Sequence, residues 1–232
     1  MSTGRSRALA LLLVPCVALT GCSRVVSGDA RSAPRAGGAS GPIQPSQLDQ
    51  LLTPSSSLSV LPGTPLAETD MQSSLFIGAD PADCHGVVAF GRYPLFPTNY
   101  TGREARTQTD GGRDNEHQLL EASASYPGDF SASAFLDSVR KKVDACQRPV
   151  HVWGDDQKRF TVIPAPLISD SPNIAHWSTS LAGDQWICEY SVIALANVIS
   201  EVATCSANRS IDNGAVAARR LKKIEELLNA TG

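Results

Sequence analysis

Along this chain the spacing of apolar and polar positions changes several times, and each change predicts an element. Ala8 to Leu19 is an apolar run broken by Pro15 and Cys16, too short and too close to the N-terminus for a spanning helix. Residues 45–52 would make two helical turns with Leu48, Leu51 and Leu52 on one side, a face that docks on the domain or on a partner. The pattern of a packed domain starts at about Leu75. Asp80 as cap, Pro81 at the first helical position and Asp83 near the free amides predict a helix with Cys84, Val87 and Val88 on one face. Residues 115–126 read as a strand. Ser131-Ala132-Ser133 opens a helix in which Ala132, Phe135, Leu136, Val139, Val143 and Cys146 recur at three- and four-residue spacing, with Arg140, Lys141 and Asp144 on the wet face. Strands are predicted at 159–163, 174–181, 186–194 and 198–205, then a helix over 213–229 with Val216, Leu221, Ile224 and Leu228 apolar. Its basic residues Arg219, Arg220, Lys222 and Lys223 read first as a solvated face and second as a docking patch.

Helix, strand, helix, strands and helix in this order predict an α+β single domain with a mainly antiparallel β-sheet packed with helices. Residues 186–205 would form one long hairpin.

The N-terminus adds an address. Arg5 and Arg7 precede the apolar run, and Leu19-Thr20-Gly21-Cys22 closes it, the layout of a secretory signal peptide ending in a motif that resembles the bacterial lipobox. That reading predicts removal of residues 1–21, lipid attachment at Cys22 and a soluble body held on the plasma membrane by acyl chains. Of the sixteen residues from Ser27 to Pro42, thirteen are Gly, Ala, Ser or Pro, so nothing there offsets the entropy of ordering. Residues 22–74 are read as the lipidated N-terminus and a loose tether, and 75–232 as the folded domain. A coil from Cys22 to about Pro45 should span on the order of 25 Å.

Composition removes function classes without naming one. Of 232 residues, 42% are hydrophobic, 19% charged and 6% aromatic, with a formal charge of −3, which loss of Arg5 and Arg7 takes to −5. No basic stripe could neutralise a run of phosphates and few rings could stack on bases, so nucleic acid is not an expected partner. An acidic body tethered to an anionic leaflet should stand off its surface.

Six cysteines become five after processing, one for lipid and four others. In an exported chain four read as two disulfides; no Cys-x-x-Cys and no His pair at ligand spacing supports a metal site. Three pairings exist. If the 186–205 hairpin turns at Ala196-Asn197, Cys188 and Cys205 stand opposite in a non-hydrogen-bonded pair, where Cα atoms lie about 4.5 Å apart and a bridge closes. A bulge or longer turn would change that parity. Cys84 and Cys146 would then join two helices.

Around these cysteines the chain resembles a known family. Pro81-Ala82-Asp83-Cys84-His85-Gly86-Val87-Val88, Val143-Asp144-Ala145-Cys146, Trp186-Ile187-Cys188-Glu189-Tyr190 and Ala196-Asn197-Val198-Ile199 through Cys205 are similar to the PknH-like extracellular domain, the sensor module of a mycobacterial serine/threonine kinase that also occurs as stand-alone lipoproteins. The resemblance spans about residues 75–230. It implies a sandwich-like α+β fold, disulfides within the first two and the last two of the four cysteines, and a broad cleft for a ligand. The tract 91–114 departs most from the family's pattern, and neither a kinase domain nor a spanning helix is evident, so this chain alone would not pass occupancy across a membrane.

No catalytic set emerges. There is no Gly-x-Ser-x-Gly, the histidines (His85, His117, His151, His176) are scattered, and Asp155-Asp156 reads as a polar turn between Trp153 and Phe160. No catalytic residue, cofactor or metal is expected. Trp153, Trp177 and Trp186 lie in or beside strands and read first as core; Tyr93, Tyr100, His176 and Trp177 are the candidate ligand-binding residues at a cleft rim. The expected protein is a non-enzymatic, lipid-anchored sensor on the outer face of the plasma membrane, capturing a small molecule or envelope lipid and presenting it to a membrane protein partner. An envelope lipid carrier and an interaction module using the basic C-terminal helix with the Leu48–Leu52 segment are the alternatives.

Overall fold

The computed structural model describes residues 41–61, 64–69, 76–110 and 117–230. Beside a short pair, β1 (Ser59–Leu61) with β2 (Thr64–Pro65), lie β3 (Ala67–Glu68), β4 (Gly78–Asp80), β5 (Gly102–Thr109), β6 (His117–Ser125), β7 (Val150–Trp153), β8 (Arg159–Leu167), β9 (Ile174–Leu181), β10 (Ile187–Leu195) and β11 (Val198–Ser206). These nine form one sheet in the order β3-β5-β6-β11-β10-β9-β8-β7-β4, every neighbour antiparallel. The helices are α1 (His85–Val88), α2 (Ala132–Ala145) and α3 (Asn213–Ala230). From β6 the chain crosses through α2 to β7, near the far edge, then meanders back until β11 pairs with β6.

Helices cover both faces of the sheet. Every residue of β6 and β11 is buried, as expected of central strands with a layer on each side. Side-chain alternation divides the core: Tyr190, Val192 and Ala203 pack with Val87, Leu136 and Val139 of α1 and α2, whereas Ile193, Val202 and Leu119 pack with Val216 and Ile224 of α3. Both long helices start as their sequences predict. The Ser131 side chain accepts from the Ala134 amide, and Asp212 accepts from Ala215 at 2.8 Å.

Three expectations change. Ile43, Leu48, Leu51 and Leu66 are buried in the α3-side core, so the packed body begins near residue 43 and not at 75. The reason is the 3-10 helix Pro45–Leu51, whose leucines cover the β5 and β6 stretch of the face. Residues 1–40, which hold the expected signal peptide and Cys22, lie outside the described residues. The helix expected from Asp80 begins later: Asp80 pairs with His151 as the last residue of β4, and a 3-10 turn (Ala82–Cys84) precedes the four residues of α1. Cys84, Val87 and Val88 are nonetheless all buried. Lastly, Arg220 is not solvated; it is buried and paired with Glu121.

Candidate functional site

Both disulfides are present. Cys84–Cys146 ties the 3-10 turn before α1 to the C-cap of α2, with Cα atoms 5.7 Å apart. Cys188–Cys205 joins directly opposed positions of β10 and β11 across 4.0 Å, around a turn at Ala196-Asn197 in which Ala196 adopts φ +51°. The two-residue connection preserves the parity on which that pairing depends.

The four rim candidates separate. Trp177 is fully buried: its indole stacks on Tyr190 with centroids 5.3 Å apart, and its Nε1 donates to the Val87 carbonyl at 2.8 Å. It is core under α1, because alternation along β9 sends it into the α1/α2 layer, opposite to His176. Tyr93 and Tyr100 stand exposed on the connection between α1 and β5 and line none of the cavities described here. His176 alone lies along a cleft, and alternation turns its side chain to the α3 side.

That cleft has a volume of about 300 Å³ and lies where β8 passes into β9. Arg140, Val143 and Asp144 of α2 form one wall; Ser169 and Ser171 contribute polar atoms from the other side, beside the start of β9 at Ile174 to His176. Arg140 fixes the connection by donating to the carbonyls of Pro172 at 2.6 Å and Ile174 at 3.2 Å, while also holding Asp137. Alternation turns the His176 ring to the α3 side, where its Nε2 is buried with no hydrogen-bond partner among the described residues. Burial holds its imidazole below the ordinary histidine value, against the partial opposing pull of Glu189 and Asp212. A guanidinium, two serines and a carboxylate around the cleft suit a small polar molecule. Helical spacing puts Arg140 and Asp144 on the wet face of α2, and no motif singles out Ser169 or Ser171. The Pro- and Ser-rich stretch 164–172 between two strand candidates was the available signal, since such a stretch marks a loop at a sheet end.

A second cavity, of about 30 Å³, lies against the Cys188–Cys205 bridge between Phe90, Trp186 and Tyr190. Its size is that of about one water, so it is no ligand site in this state. Asp155 and Asp156 sit in the tight β7–β8 turn, where Asp156 accepts from the Lys158 amide. Among the described residues, no group of three His, Cys, Asp or Glu side chains could hold a metal, and no helix is long and apolar enough to cross a membrane.

Comparison with known proteins agrees with this architecture. The sequence profile of the PknH-like extracellular domain matches residues 43–223. Serine/threonine-protein kinase PknH of Mycobacterium tuberculosis (strain ATCC 25618 / H37Rv) is 26% identical over 199 residues, covering 80% of this chain and 31% of that protein. PknH of Mycobacterium bovis is also 26% identical, with 80% and 33% covered. The chain thus spans about a third of the length of these curated relatives. The crystal structure of the extracellular domain of PknH from Mycobacterium tuberculosis shares the fold, with a TM-score of 0.69 at 21% identity, covering 81% of this chain and 99% of that one.

Proposed function

This chain belongs to the PknH-like extracellular domain family, and from that premise we propose that it is a lipid-anchored, extracytoplasmic sensor that captures a small polar ligand and performs no chemistry on it. The observation that carries the reading is the cleft of about 300 Å³ beside α2, where Arg140, Asp144, Ser169 and Ser171 gather polar groups around a volume large enough for a ligand. Arg140 and the Cys84–Cys146 bridge hold the β8–β9 connection and α2 in place, so little ordering would oppose capture. Cys22 would carry the anchor, and a membrane partner would read the occupied domain.

Two measurements test this. In an NMR titration of the whole chain with amino acids, small sugars and dicarboxylates, shifts should gather at Ser169, Ser171 and Arg140 and vanish in Arg140→Ala. Shifts spread elsewhere, or retained in that variant, count against the cleft. Mass measurement of protein from its exporting host should show an acyl adduct at Cys22, and Cys22→Ala should release the chain from membranes. An unmodified Cys22 would remove the anchor from the account.

A further inference from the structure

Across the sheet from that cleft, and independent of it, a groove of about 560 Å³ runs between residues 50–58 and α3. On α3 it is lined by Val216, Arg219, Arg220 and Lys223, whose spacing of three, four and seven residues places them on one face. Arg220 turns inward and is consumed by Glu121, Ser123 and Ser200. Arg219 is exposed and makes no hydrogen bond or ion pair among the described residues, and Lys223 meets only Glu226 at 3.7 Å. No carboxylate lines the groove. Opposite the cations, half-buried Leu58 and the outer edges of the nearly buried Leu51, Leu52 and Val216 form an apolar wall, with Gln50, Thr53 and Ser57 beside it.

A merely solvated helix face does not require this arrangement. Solvation needs charged ends in water and no apolar trough beside them; here two cations with little or no internal partner border one, on a chain of net charge −3. The matching ligand has one negative head and one hydrocarbon tail. We propose that this groove binds a single-chain anionic amphiphile, with its carboxylate or phosphate between Arg219 and Lys223 and its tail along Leu51, Leu52 and Leu58. Each half of the ligand then meets its complement: charge-assisted hydrogen bonds at the rim and loss of apolar surface from water along the wall.

The test uses the whole chain and dissolved probes below their micellar concentrations. Dodecyl phosphate and dodecanoate should bind and shift Leu58, Val216 and Lys223 resonances, and their relative affinity tells a phosphate head from a carboxylate one. Butyl phosphate and dodecanol, each lacking one half of the recognition, should bind about tenfold more weakly or worse. The double charge reversal R219E/K223E should weaken dodecyl phosphate by about tenfold or more with unfolding temperature unchanged, while Arg140→Ala leaves it unaltered. Inorganic phosphate or dodecanol binding as well as dodecyl phosphate would overturn the proposal. So would an indifferent R219E/K223E, or binding to anionic phospholipid vesicles with none to the dissolved amphiphile, which would mark a membrane-facing patch instead of a groove.

Discussion

Arg220 on α3 donates to Glu121 on β6, with 2% and 0% of the two side chains exposed. Around this pair the remaining valences are filled. Arg220 also donates to Ser200 at 2.6 Å and Ser123 at 3.2 Å, and Glu121 accepts from the Thr53 hydroxyl at 2.6 Å and the Thr53 amide at 3.0 Å. One buried carboxylate thus joins the C-terminal helix, the central strand and the N-terminal segment.

Removing one partner of such a pair leaves an unpaired buried charge, which costs about 3–5 kcal/mol. Arg220→Met should destabilise the chain by roughly that amount in urea unfolding. The double variant Glu121→Gln/Arg220→Met should recover a large part of the loss, because no charge is then stranded. A loss below about 1 kcal/mol for the single variant would contradict a fully desolvated pair.

Glu201 predicts a pH dependence. It is fully buried on β11, with Oε2 accepting from the Gly91 amide at 2.9 Å and Oε1 without a hydrogen-bond partner among the described residues. Burial pushes its carboxyl up to about 8, against the pull of Gly91 and Arg103. Between the ordinary value of 4.5 and about 8 the folded state keeps a proton that the unfolded state has lost, so stability falls as pH rises through that window. Glu201→Gln removes the titration. The stability difference between this variant and the parent should grow in favour of glutamine from acid to mildly alkaline pH by a few kcal/mol, and parallel curves would show that the carboxyl is not raised.

The disulfides close loops of unequal length, with sequence separations of 62 and 17 residues. Chain entropy makes their contributions about 4 and about 3 kcal/mol. Paired Cys→Ala replacement at Cys84 and Cys146 should therefore lower the denaturation midpoint more than replacement at Cys188 and Cys205. The reverse order would show that native-state packing around the β10–β11 bridge outweighs loop closure.

Asn197, at the β10–β11 turn, clasps the start of the packed chain: its Oδ1 accepts from the Ile43 amide and its Nδ2 donates to the Ile43 carbonyl, each at 3.0 Å. Asn197→Ala should cost about 1–3 kcal/mol and leave Ile43 without both partners. Limited proteolysis should then cut within residues 41–58 first. Unchanged resistance there would place the N-terminal hold in the leucines alone.

Much of the fold was legible because long elements repeat their period several times. α2, β9 and the β10–β11 hairpin carry clear apolar spacing, and the turn residues Ala196-Asn197 set the parity that brings Cys188 to Cys205. β5 was not legible: as a strand near the sheet edge it is largely exposed along Gly102 to Glu104, so little apolar alternation remains to detect. The cleft was less legible still. His176 marks the strand that borders it, but the polar side chains around it come from α2, about 30 positions earlier, and from a loop whose polar character is shared with any surface turn.

By itself the sequence determined what depends on neighbours along the chain: where the long helices α2 and α3 begin, which of the recognised strands alternate, and which cysteines an antiparallel hairpin sets opposite each other. Only the tertiary structure decided that Arg220 is internal, that Trp177 is core while Arg140 walls a cleft, and that Ile43, Leu48, Leu51 and Leu66 belong to the body. The reason is physical. Burial is a property of the surface that comes to lie over a side chain, and the same arginine at the same helical position is solvated or encased according to whether a distant carboxylate and a leucine-bearing segment close over it.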